Sequence, residues 1–315
     1  MIDSQKRDYL YYIINKTRKY NIDNISRTKA YQHFYMKHPE IKWALVASIV
    51  SRNAGWNMTD LCLPPYKKLL SERERTQLFM TYERANWLIF SDAFPQLLIY
   101  ELSLKSDLKL FDLLDDLHVS KFMKEEWLIF SKTKNKDRLM IALIINEQNV
   151  IQHPVISQPY FRKNVFLSLP YVLQNNLMLN AVLLPTSTGR LYGSFIHGFT
   201  NVNNRIRLGK KLATQLFHPV VYPSLMDFIL RIEHTGSRYD YERFLSVNFP
   251  KSPMLRTIYP IVDHQDNIRI DWYKSGGVKK KWLSLEQDEI EEISKSFYNK
   301  RNLLFAYFYI KNIFN

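Results

Sequence analysis

Between Gly55 and Gly189 the chain has no glycine at all. Tight hairpin turns lean on glycine for positive φ, so a stretch of this length favours helices over sheet. Helix punctuation fills the same region. His38-Pro39-Glu40 places proline where a helix starts and leads into the apolar run Trp43–Val50. Ser71 and Glu74 form a capping box ahead of Phe79, Tyr82, Ile89 and Phe90 at helical spacing. Pro95 then starts or kinks a helix through Leu102. Further helices are expected over 5–20, 27–37, 107–117, 121–132 and 137–147.

Pro154 and Pro159 mark a break, which divides the chain into a helical lobe, 1–150, and a second lobe, 151–315. In the second lobe the glycine- and hydroxyl-rich stretch 185–198 reads as an ordered loop before a helix over 203–217, and Pro219 and Pro223 precede another helix. The pattern changes after Pro253. Thr257–Val262 and Ile268–Trp272 flank the polar turn Asp263–Asn267, with a third strand over Val278–Leu283. Ser284 with Gln287 is expected to cap a final helix. The fold expected is mainly α: two helical lobes with a small antiparallel β-sheet near residues 255–284.

Cys62 is the single cysteine, so an intrachain disulfide and cysteine-rich metal sites are excluded. The eight histidines are scattered, and no Glu-x-x-His pair occurs, so no metal site is expected. No apolar run reaches membrane-spanning length, and the start Met1-Ile2-Asp3-Ser4 lacks a signal-peptide layout. These features predict a cytoplasmic protein. Walker-type loops, Gly-x-Gly-x-x-Gly and the Gly-x-Ser-x-Gly elbow are missing, so no cofactor is assigned.

Three segments carry a resemblance: Ser51–Leu61 (SRNAGWNMTDL), Tyr82–Leu98 (YERANWLIFSDAFPQLL) and His234–Glu242 (HTGSRYDYE). Together they resemble the uncharacterised YppC-like family of Bacillus-type bacteria. The resemblance implies a bacterial cytoplasmic protein and brings no activity, cofactor or catalytic residue with it.

Charge supplies the functional expectation. The chain carries 44 Lys/Arg against 30 Asp/Glu, a net +14. No Asp or Glu occurs from residue 148 to 226, while Arg162, Lys163, Arg190, Arg205, Arg207, Lys210 and Lys211 do. Arg190 in its Thr/Ser/Gly loop, His197, then Arg205, Lys210 and Lys211 near a helix start, and the loop His234–Arg238 form a candidate anion-binding set. Binding of a polyanion, most plausibly nucleic acid, is the first expectation. The first lobe holds a second constellation, Arg52, Asp60, Glu83 and Asp92 with nearby Asn53, Asn57, Asn86 and Gln96. A buried carboxylate there needs a cation, with Arg52 or Arg84 the expected partner. This set reads either as a packing network or as the acid/base site of an enzyme on an anionic substrate, Glu83 or Asp92 being the acid/base. A peripheral membrane or scaffold role is the third alternative.

Overall fold

The computed structural model describes residues 2–106, 110–245, 249–265, 270–275, 277–284 and 289–313. It opens with helices α1 (Ile2–Tyr20), α2 (Asn24–Lys37), α3 (Trp43–Asp60), α4 (Pro64–Leu69) and α5 (Glu72–Ser103). After these come α6 (Leu113–Asp116), α7 (Lys121–Thr133) and α8 (Lys136–Val150). Two π-helical turns, Gln152–Ile156 and Arg162–Phe166, flank α9 (Pro159–Phe161) and lead to α10 (Leu169–Asn176). A hairpin, β1 (Ala181–Pro185) and β2 (Leu191–Phe195), precedes α11 (Val202–Leu216) and α12 (Tyr222–Arg231). The chain finishes with α13 (Tyr239–Glu242), α14 (Leu255–Ile258) and α15 (Ser294–Ile313). The protein is mainly α with one small antiparallel sheet.

The centre is built on α3 and α5. Almost the whole of α3 is buried, from Trp43 to Asp60, polar residues included. Helix α5 begins at the capping box that the sequence announces: the Ser71 hydroxyl accepts from the Glu74 amide, and the Glu74 carboxylate accepts from the Ser71 amide. It then runs 32 residues and passes through Pro95 without ending. An internal proline costs about 3 kcal/mol. Here Phe94, Leu97, Leu98 and Ile99 are all buried on either side of it, and that burial outweighs the lost bond. One large apolar cluster takes in residues from Ile13 to Tyr298, so both sides of position 150 enter the same core.

The sheet lies elsewhere than expected. Residues 181–195 form it, with Ala181 opposite Phe195 and Pro185 opposite Leu191. The stretch 185–198, expected as a loop, thus supplies its turn and second strand. Within 255–284 the described residues form α14 and two 3-10 turns, Trp272–Ser275 and Lys280–Trp282, and no strand; residues 266–269 of the expected hairpin lie outside the described set. Alternation alone cannot select a strand when no partner edge is present. The turn Thr186–Gly189 closes because the Thr186 amide donates to the Arg190 carbonyl (3.0 Å) and the Thr186 hydroxyl accepts from the Arg190 amide (3.1 Å). The final helix starts at Ser294, ten residues after the expected cap Ser284; Gln287 lies outside the described residues.

A two-stranded sheet has two edges, and inside a protein each needs partners. On the β2 side, the Ile293 amide donates to the Leu191 carbonyl (2.8 Å) and the Leu191 amide donates to the Ser294 hydroxyl (2.9 Å). On the β1 side a single side chain does the work. Asn53 of α3 donates to the Leu183 carbonyl (2.9 Å) and accepts from the Leu183 amide (2.8 Å). Asn53→Ala therefore leaves two buried backbone groups unmet, each costing about 1–3 kcal/mol. The expected outcome is a stability loss of about 2–5 kcal/mol with secondary structure retained, read from urea denaturation and circular dichroism.

Candidate functional site

The four residues grouped as a candidate catalytic set lie in four separate networks. Glu83, from α5, is buried against Arg27 of α2, whose Nη2 donates to both carboxylate oxygens at 2.6 Å. Neither Arg52 nor Arg84 is that partner, because α2 crosses α5 at this point. His264 adds an Nε2 3.6 Å from Oε1. Burial raises the Glu83 carboxyl, but Arg27 and His264 outweigh it and hold the group below its ordinary value. Asp92 accepts from Gln96 (2.8 Å) and from Asn146 of α8 (2.6 Å), and Gln96 in turn accepts from Trp127 (2.9 Å). Arg52 donates to Gln32 (2.8 Å) and to the Ile232 carbonyl (3.3 Å). Asp60 lies elsewhere again, at the C-terminal end of α3.

Asp60 anchors the densest electrostatic feature. Its Oδ2 accepts from Arg238 Nε (2.5 Å) and from Arg301 Nη1 of α15 (2.9 Å). Arg238 also donates to Asn57 Oδ1 (2.6 Å) and to the Tyr241 hydroxyl (2.8 Å), and Tyr298 donates to Glu242 (3.2 Å). Burial pulls both guanidinium groups down, but the Asp60 charge keeps each above its ordinary value. Glu242 is raised by burial, which Arg301 and Arg238 only partly offset. The adjoining loop is equally closed. His234 shares a hydrogen bond with Asn24 (2.9 Å) and lies 3.4 Å from Asp240. Burial pushes its imidazole down to about 4, so it is neutral near pH 7.

This cluster borders a cavity. The charges of Arg238 and Asp60 act on Tyr82, whose hydroxyl accepts from Asn180 (3.5 Å). Tyr82 lines a small pocket of about 90 Å³ whose other walls include Ala85, Val155, Ile156, Val165 and Phe166. The two π turns supply four of these walls. In each turn an amide reaches back five residues: Ile156 to Ile151 (3.1 Å) and Leu167 to Arg162 (3.0 Å). Pro154 has no N–H to continue the ordinary ladder, and a wider turn carries the chain past it. Thr81, Tyr82, Tyr171 and Asn180 are the hydrogen-bonding side chains lining the cavity. The remaining lining is apolar.

The basic residues expected to face an anion divide by burial. Arg190 and His197 are exposed, Arg190 with Glu292 4.0 Å away. Lys211 is half-buried beside Glu291 (3.4 Å). Arg205 is buried and donates to Gln148, Gln152 and the Phe199 carbonyl (2.6–3.0 Å). Lys210 is buried and donates to the Ser284 carbonyl (2.8 Å). His234 and Arg238 are buried as described. Among the described residues no group of three His, Cys, Asp or Glu is placed to hold a metal ion.

Several participants have no signal in the sequence. Arg301 lies 241 residues from Asp60, and Asn180 lies 98 from Tyr82. Glu147 is another: it is buried, accepts from Trp43 (2.9 Å) and Gln148 (2.9 Å), and burial pushes its carboxyl up to about 7.

Two comparisons with known proteins bear on identity. A family model described as a protein of unknown function, DUF2515, matches residues 19–302. The chain is 47% identical over 305 residues to the uncharacterised protein YppC of Bacillus subtilis, covering 95% of each chain. No solved structure matches.

Glu147 yields a pH prediction. Its folded value, about 7, lies above the ordinary 4.5. Between those values the native state binds more protons than the unfolded chain, so this group removes stability as pH rises. Glu147→Gln cannot titrate. Relative to wild type, its unfolding free energy is expected to gain on the order of 3 kcal/mol between pH 4.5 and 8, measured by urea denaturation across that range.

Proposed function

The chain belongs to the DUF2515 family of proteins of unknown function, and on the geometry of its pocket we propose that it binds a small amphiphilic molecule. The observation that carries this reading is the junction at Tyr82. An apolar cavity of about 90 Å³ carries the hydrogen-bonded pair Tyr82 and Asn180 in its lining, and a few placed polar groups in an apolar wall are the usual means of orienting a small ligand. A phenol that accepts a hydrogen bond from Asn180 retains its own proton to donate. The ligand class is then a molecule with an aliphatic or aromatic body and a hydrogen-bond acceptor, such as a carboxylate, ester or ketone, at its head.

Catalysis by Glu83 or Asp92 has less support: Glu83 lines a separate cavity but is already held by Arg27, and Asp92 is held by Gln96 and Asn146. Polyanion binding is the second reading, favoured by the net +14 and by the exposed Arg190 and Arg207. It draws no support from Arg205, Lys210 or Arg238, whose donors already have partners inside the protein.

The pocket is tested with 1-anilinonaphthalene-8-sulfonate and with a fluorescent fatty acid as probes. Tyr82→Phe is expected to weaken the fatty-acid probe about tenfold, the worth of one hydrogen bond of roughly 1.4 kcal/mol. Ala85→Trp, which fills the cavity, should abolish binding of both probes. Unchanged binding in both variants, with wild-type melting curves, rejects the reading.

The polyanion reading is tested by titrating single- and double-stranded oligonucleotides against salt. It requires a log–log slope of about −0.7 to −0.9 per contacted phosphate and a uniform loss of affinity in Arg190→Glu/Arg207→Glu. Absence of binding at low salt rejects it.

A further inference from the structure

We infer that the segment 159–178 docks on an anionic phospholipid surface, with Leu167 and Leu169 as its inserted tip. The inference goes beyond the pocket reading and stands on a different face of the same segment. Inward, Val165, Phe166 and Tyr171 line the cavity. Outward, Leu167 is 65% exposed and Leu169 is 70% exposed, and Tyr160, Leu173 and Leu177 are also exposed. Large apolar side chains left in solvent along one short segment mark an interaction surface.

Charge identifies what covers it. Arg162 and Lys163 are exposed immediately before the tip. Lys300 donates to the Leu177 carbonyl (2.8 Å), which places a third cation at the far end of the segment. No carboxylate occurs anywhere from residue 148 to 226. A leucine tip flanked by cations, in a segment with no carboxylate of its own, complements a layer of anionic headgroups above acyl chains. The backbone suits the same partner. The second π turn, Ser168 and Pro170 break the segment into short pieces around the two leucines. They offer a blunt apolar knob, which needs depth in its partner and not a matching groove. The described residues contain no helix long and apolar enough to cross a membrane, so attachment would be peripheral.

The experiment sediments the full chain with vesicles of phosphatidylcholine alone and of phosphatidylcholine with one quarter phosphatidylglycerol. Wild type is expected to pellet with the anionic vesicles and to stay in the supernatant with neutral ones. Leu167→Ser/Leu169→Ser and Arg162→Glu/Lys163→Glu are each expected to lower the apparent affinity at least tenfold. Their melting curves should match wild type, because all four side chains face solvent. Ala85→Trp, which blocks the pocket and leaves the tip intact, should pellet as wild type does, so failure of the pocket reading and failure of this one are separable. The inference is overturned by a wild type that ignores anionic vesicles, by tip variants that pellet normally, or by loss of pelleting in Ala85→Trp. It is also overturned by a wild-type dimer in ultracentrifugation that Leu167→Ser/Leu169→Ser converts to monomer, since a second copy would then cover the patch.

Discussion

Asp60 is the charge on which the assembly of distant segments depends. It sits at the end of a helix that is buried almost throughout, where an ionised carboxylate is tolerated only with cations in direct contact. Two arginines answer it, one from the loop before α13 and one from α15. Because each guanidinium presents a planar fork of donors, neutralising Asp60 also fixes Asn57 and Tyr241 through Arg238. The requirement to keep one carboxylate paired thus brings three remote parts of the chain to one place. Tyr82, on the wall of the pocket, feels the charges gathered there.

A strongly basic stretch is usually read as a surface waiting for an anion, and this protein shows another outcome. Arg205 satisfies its donors with backbone carbonyls and amide side chains, and Lys210 donates to the Ser284 carbonyl. Arg238 finds its counter-charge 178 residues earlier. Local absence of Asp and Glu therefore says little about free charge once the chain is folded. Exposure decides, and it leaves Arg162, Lys163, Arg190 and Arg207 on the outside. Two of these four flank the exposed leucines.

The two π turns connect backbone chemistry to the cavity. Widening the helix by one residue per turn presents Val155 with Ile156, and Val165 with Phe166, as neighbouring walls. Such turns are uncommon and recur at functional sites. Here a proline without an N–H lies inside the first of them, so the local irregularity and the pocket share a cause.

Local rules determined much of this protein directly. The glycine-poor first half is helical, the Ser71–Glu74 box starts α5, and the ends of α2, α7, α8 and α11 fall within a few residues of expectation. These features depend on groups three or four residues apart, which a sequence displays in full. That Asp60 and Glu83 need arginines also follows from the residues alone; which arginines cannot. Arg27 was chosen over Arg52 and Arg84 by the crossing of α2 and α5, and Arg301 by the docking of α15. The sheet was settled the same way: an alternating segment becomes a strand only where an edge is offered, and Asn53 with Ile293 and Ser294 offered one at 181–195. The pocket belongs wholly to tertiary structure, since Tyr82, Asn180 and Phe166 meet only through packing between elements far apart in the chain. Sequence spacing encodes a side chain's reach along its own helix, and carries no record of what another helix will bring against it.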